Sequence, residues 1–147
     1  MNLCVECKGL SYIRYSIKTN HPMKSIIETS QAPAPIGPYS QAVLSGNTLY
    51  TSGQIAINPK SGDLVMNTIE EETHQVMTNV KSVLAKAGMN FDHVIKTSIF
   101  ISDMDNFGRI NEIYGQYFTA NFPARETVEV ARLPKDVNVE ISMIAVK

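Results

Sequence analysis

The stretch that most constrains the fold runs from Pro123 to Ile141, where valine and isoleucine alternate with polar residues on both sides of Leu133-Pro134-Lys135-Asp136. β-Branched residues suit a pleated surface, and a proline followed by an aspartate is turn chemistry, so this stretch predicts two strands joined as a hairpin. Two charges stand out in it. Arg125 opens the first strand, and Glu140 lies in the second between Val139 and Ile141, among positions expected to be buried. A carboxylate in such company must be paired, hydrogen-bonded or protonated, because the bare ion is costly away from water. Arg125 is the first partner to consider and Arg132 the second; the bland alternative is a structural ion pair.

The rest of the chain excludes several uses of such charges. A length of 147 residues with 44% hydrophobic content fits one domain with a sizeable core. The net charge of −1 leaves no basic footprint, so nucleic acid is an unlikely partner. No run approaches the ~20 apolar residues that a membrane span requires. Both cysteines, Cys4 and Cys7, fall near the start, so the remaining chain has neither a thiol nucleophile nor a disulfide framework. No second pair or histidine couple follows Cys4-x-x-Cys7 at ligand spacing, and no metal is expected. Residues 1–22 lack an apolar signal core and a cleavage site; they read as an appended extension, disordered or not native to the domain. Met23 is then an alternative start, residues 23–147 are the expected domain, and the expected location is the cytoplasm.

Along that domain, Lys24–Thr29 reads as a strand. Gln31–Ser40 holds three prolines and a glycine and must be a loop, with Tyr39 at its end either lining a pocket or covering the core. Gln41–Leu44 and Leu49–Ile57 flank Ser45-Gly46-Asn47 as a hairpin, and Gly53 inside the second strand marks a bulge or a close approach. A first helix begins at Thr68, which with Glu71 forms a capping box. Glu70 and Glu72 add charge that favours the positive end of the dipole. Ile69, Val76, Met77, Val80, Val83, Leu84 and Ala87 make its apolar stripe, with Gly88 as the stop. His74 falls off the stripe, towards solvent, and His93 has no partner at catalytic spacing. Val94–Ser102 predicts a strand with Ile95, Thr97, Ile99 and Ile101 on one face and Lys96 and Ser98 on the other. A second helix follows Asp103, carries Phe107, Ile110, Ile113, Tyr114, Tyr117 and Phe118 on one stripe, and ends before Asn121. Asn111 lies off its centre, facing solvent on the simplest account. This order predicts an α+β domain, a mixed sheet with two helices on one face. The surplus apolar surface of Val128, Val130, Val139, Ile141, Ile144 and Val146 predicts self-association.

As a set, Ala34-Pro35-Ile36-Gly37-Pro38-Tyr39-Ser40-Gln41, Tyr50-Thr51-Ser52-Gly53-Gln54-Ile55, Asn79-Val80-Lys81, Asp105-Asn106-Phe107, Asn111-Glu112-Ile113-Tyr114 and Phe122-Pro123-Ala124-Arg125 through Val137 are specific. From Met23 to Lys147 the chain resembles the Rid (YjgF) family, closest to its RidA-type enamine and imine deaminases. The resemblance implies a chorismate-mutase-like single domain assembled as a homotrimer with sites between subunits. It implies no cofactor, and hydrolysis of 2-enamine and 2-imine acids of the 2-aminoacrylate type to 2-keto acids and ammonia. Arg125 then anchors the substrate carboxylate, Glu140 handles the attacking water, and Tyr39 completes the catalytic group. Ser52, Gly53, Asn111 and Thr127 match positions that line the site.

The residue types suit that chemistry. A guanidinium grips a planar carboxylate through two parallel hydrogen bonds, which an ammonium cannot reproduce. An imine carbon is already electrophilic, so hydrolysis needs a positioned water and proton transfer rather than a thiol or a metal. Arg125 and Thr127 share one face of their strand while Glu126 points away. Three positions depart from the family pattern. Glu126 replaces a small residue and would weaken carboxylate binding unless directed away; Thr127 replaces a common cysteine, and Ser142 an acidic residue. Two other readings remain open: a non-catalytic trimeric module that senses a small keto or amino acid in the same cleft, and ribonuclease activity, which lacks a histidine pair here.

Overall fold

A computed structural model describes residues 24–147. The expected extension 1–22, its cysteine pair and Met23 lie outside the described residues. A six-stranded mixed sheet carries two helices on one face. Its strands are β1 (Ser25–Ile27), β2 (Ala42–Ser45), β3 (Thr48–Thr51), β4 (Val94–Ile101), β5 (Ala124–Glu129) and β6 (Val139–Val146), in the order β1-β2-β3-β6-β4-β5. Only β4 and β5 run parallel; the other neighbours are antiparallel.

That order corrects the expected hairpin. β5 and β6 are both strands, but β4 lies between them, paired with Arg125 opposite Thr97 on one side and Glu140 opposite Phe100 on the other. The Leu133–Asp136 segment is a crossover over the end of β4 rather than a tight turn. Lys135 and Asp136 both take φ of 57° within it, while Leu133 and Val137 are buried.

The first helix, α1 (Ile69–Lys86), forms as its caps predict: the Thr68 hydroxyl accepts from Glu71 N at 3.2 Å, and Gly88 at φ 70° stops it. The capping box is half made, because the Glu71 carboxylate accepts instead from Asn67 Nδ2 at 2.8 Å. Every residue of its predicted stripe is buried, and a large side chain so buried contributes about 2 kcal/mol. The second helix, α2 (Phe107–Gly115), is shorter than expected; Tyr117 and Phe118 follow its end and still pack on the core. The hairpin of β2 and β3 turns at Gly46 (φ 60°) and Asn47, but β3 ends at Thr51, leaving Gln54 to make a single bridge with Ile141.

Strand alternation assigns two unlike faces. Thr97, Ile99, Ile101, Val139, Ile141 and Met143 face α1 and α2 in one core. Lys96, Ser98, Phe100, Glu140, Ser142 and Ile144 face the other way, on a side that no described helix covers. Ile95 departs from its expected face: a register shift between Val94 and Lys96 turns it out to 53% exposure and buries Val94 instead. No described helix is long and apolar enough to cross a membrane.

Candidate functional site

Arg125 projects from the edge strand β5 towards α2. Its Nη1 donates to Asn111 Oδ1 at 2.7 Å, and its guanidinium carbon lies 5.0 Å from the Tyr114 ring centroid and 5.7 Å from that of Phe107. Positions 107, 111 and 114 are one helix face, so α2 presents ring, amide, ring to a single cation. Tyr114 is itself fixed, its hydroxyl donating to Thr97 Oγ1 at 3.2 Å, and burial pushes its phenol up in pKa. Asn111, Tyr114, Gly115, Phe122, Pro123 and Arg125 line a cleft of about 420 Å³. Among the described residues Arg125 enters no ion pair, which leaves the rest of its donor fork for an anion. Thr127, on the same face, has a buried hydroxyl without a hydrogen-bond partner among the described residues.

Glu140 lies elsewhere. It shares a cleft of about 330 Å³ with Ile36, Tyr39, Ser52, Gly53, Ile55 and Pro134. A Cβ on Gly53 would collide with the Glu140 carboxyl oxygen and lie 2.9 Å from its Cγ, so glycine here is what admits the carboxylate. A second small core of Ile55, Ile57, Leu133 and Val137, joined by Phe100, stands behind it. Burial raises the Glu140 pKa above the ordinary glutamate value. Ser52 donates its hydroxyl hydrogen to Ser40 O at 2.6 Å, leaving oxygen lone pairs for a ligand, and the Tyr39 hydroxyl accepts from Ile36 N at 3.3 Å.

The candidate residues therefore fall into two groups on opposite faces of one sheet: Arg125, Asn111 and Thr127 on the helix side, and Glu140, Tyr39, Ser52 and Gly53 in the other cleft. The structural ion pair considered as the alternative role of Glu140 is not formed. Arg125 is turned to α2, and Arg132 pairs with Asp136 at 2.6 Å, so Glu140 has neither. Asn111 is exposed, as its place off the stripe implied, and its side chain also holds the arginine. Glu126 points away from Arg125, ion-paired with Lys96 and hydrogen-bonded to Ser98, and those partners lower its pKa. It therefore does not crowd the anchor.

The family model described as endoribonuclease L-PSP matches residues 29–147. A crystal structure of a Rid-family protein from Yersinia pestis superposes with a TM-score of 0.82 at 53% identity, covering 84% of this chain and 99% of that one. The chain belongs to the Rid family. Among its Rid relatives, the human 2-iminobutanoate/2-iminopropanoate deaminase is 46% identical over 125 residues, 85% of this chain and 91% of the human one. A TdcF structure from E. coli, solved with bound serine, matches at 43% identity and a TM-score of 0.81, covering 84% and 98%. The Rid motifs contain Tyr114 and Phe107, but their place as core-stripe aromatics hid a second contact, with Arg125. Their spacing to Asn111 is the signal that could have shown it.

Proposed function

We propose that the protein hydrolyses 2-imino acids, and 2-enamine acids after protonation at carbon, to 2-keto acids and ammonia. Arg125 is the observation that carries this reading: a guanidinium mounted on two rings and one amide, with no carboxylate paired to it among the described residues. The deaminase name of the human relative and the bound serine of the E. coli relative, an amino acid with a free carboxylate, support it.

In this reaction Arg125 binds the substrate carboxylate and so fixes the C=N carbon. Glu140 takes a proton from water as the water oxygen bonds to that carbon and the π pair moves to nitrogen. Glu140 returns that proton to nitrogen, and the carbinolamine then collapses: Glu140 takes the hydroxyl proton and delivers it to nitrogen as the C–N pair leaves with ammonia, and the oxygen lone pair forms the keto C=O. Tyr39 and Ser52 offer hydroxyls to the same intermediate. Burial raises the Glu140 pKa and so makes its carboxylate a stronger proton acceptor than an exposed glutamate.

Because the two groups occupy opposite sheet faces, one site requires two chains, the cleft of Glu140 from one and the cleft of Arg125 from another. The half-buried Ile144, Val146 and Phe100 on the uncovered face favour such an assembly, and a homotrimer is the proposed form. The reading is preferred to RNA cleavage because the described histidines are engaged separately, His74 with Tyr117 and His93 with Asn90.

The test supplies 2-aminoacrylate in situ from a pyridoxal-phosphate serine dehydratase and follows keto acid and ammonia. Wild type accelerates their release, and Arg125→Ala loses about 100-fold in kcat/KM. No acceleration by wild type, or equal acceleration by Arg125→Ala, overturns the proposal.

A further inference from the structure

Glu72 was expected to do no more than complement the α1 dipole, yet it is 0% exposed. Both of its carboxyl oxygens are spent at the start of β6. Oε1 accepts from Asn138 N at 2.6 Å and Val139 N at 3.3 Å, and Oε2 accepts from Asn138 Nδ2 at 2.8 Å. The next residue is Glu140. On its other side, Ile141 exchanges both backbone hydrogen bonds with Gln54, at 2.8 Å and 3.1 Å. Glu140 thus stands between two pinned peptides, with Gly53 beneath it. The Gln54 pin is ordinary strand pairing, whereas the Glu72 pin is a buried side chain reaching from another layer of the fold.

We infer that Glu72 is a positioning residue for Glu140: by holding the entry of β6 it keeps the Glu140 carboxylate seated over Gly53, half-buried in its cleft. The inference rests on the reading of Glu140 as the group that handles water. A buried peptide N–H without an acceptor is costly, so removing Glu72 leaves three donors that must draw in water or move. Either response frays the first residues of β6 and wets Glu140. Arg125 is not touched, because it is mounted on β5 and α2. The damage is therefore to turnover and to the titration of Glu140, not to binding of the substrate carboxylate.

The chemistry of position 72 also predicts which substitution is tolerated. In Glu72→Gln the amide oxygen can keep Asn138 N and Val139 N. Its NH2 then faces the Asn138 side chain, which turns over to offer Oδ1 and directs Nδ2 to the Ser102 hydroxyl that now bonds it at 3.2 Å. The half-buried Ser102 hydroxyl, which donates to Oδ1 in the wild type, turns its hydrogen to solvent, so no backbone donor of Asn138 or Val139 is orphaned. Glu72→Leu fills the space and accepts nothing.

The experiment compares wild type, Glu72→Gln, Glu72→Leu and Asn138→Ala, each checked by circular dichroism and light scattering. The Glu140 δ-carbon is followed by 13C NMR as pH is varied, alongside kcat and KM. Tyr39 is the other titratable side chain among the described residues lining that cleft, and Tyr39→Phe removes it as a source of any shift. Glu72→Leu should lower the Glu140 midpoint by about one pH unit, cut kcat about 10- to 100-fold and leave KM within about twofold. Glu72→Gln should rescue both readouts. If Glu72→Leu does not fold, Asn138→Ala, which removes one of the three donors, should show a smaller shift in the same direction. An unchanged Glu140 titration in whichever of these folds overturns the inference. Absence of turnover in wild type overturns the proposed function instead, and the titration still decides the role of Glu72.

Discussion

Gly53 has no room for a side chain because the Glu140 carboxyl lies across its Cα. Gly53→Ala should therefore expel that carboxyl, costing about 1–3 kcal/mol of stability by overpacking and at least about 100-fold in kcat; urea unfolding and steady-state kinetics read the two effects. Glu140 makes a pH prediction whose sign follows from its raised pKa. Folding favours its protonated form, so its contribution to stability is complete below the ordinary glutamate pKa and is lost as pH rises through the folded value. Glu140→Gln should accordingly be more stable than wild type at neutral pH, with the difference vanishing in acid, while turnover collapses. Thermal unfolding across pH 3–8 tests this, and a neutral-pH loss of stability would contradict it. The same direction moves the acid limb of wild-type activity above the ordinary glutamate pKa. Local sequence rules found Glu140 as an odd charge among valines, and it is one. They could not name its surroundings, since Gly53, Tyr39 and Pro134 come from three separate loops.

At the scale of elements, α1 was legible throughout because its signals are local: a cap at Thr68, a stripe at 3.6-residue spacing, a stop at Gly88. Thr68→Ala should cost about 1 kcal/mol in urea unfolding with an unchanged m-value, because one backbone donor loses its acceptor. The strands were legible as strands, and β2 and β3 as partners across Gly46, but the separation of β5 from β6 was not legible. Alternation says which residues share a face; it says nothing about which strand is inserted beside it, and β4, some 40 residues upstream of β6, separates the two that the turn at Pro134 seemed to join. The bulge at Val94 and Lys96 likewise leaves no mark in composition, so Ile95 was assigned to the wrong face. Glu72 was misread for a related reason: its partners, Asn138 and Val139, are remote in sequence, and only tertiary contact turns a first-turn carboxylate into a buried acceptor.

At the scale of the molecule, the sheet face opposite α1 and α2 carries Tyr50, Ile144, Val146, Phe100 and Val128, with Tyr50 at 50% exposure. Covering it with other copies predicts a trimer by light scattering, and Ile144→Lys should yield a monomer that keeps its fold and loses turnover, because a charge is placed on an apolar contact. A wild type that stays monomeric at working concentration would remove the basis for a shared site. Arg125, Glu140, Tyr39 and Gly53 stood out by residue chemistry and the motif resemblance completed the candidate set, but neither could sort it into two groups, because a list of site residues carries no information about sheet faces. That sorting makes the catalyst divisible. In the proposed ring, an inactive Arg125→Ala chain still donates a sound Glu140 cleft, and an inactive Glu140→Gln chain still donates a sound Arg125. Dissociated, mixed in equal amounts and reassembled, the two dead proteins should restore activity at about a quarter of the interfaces.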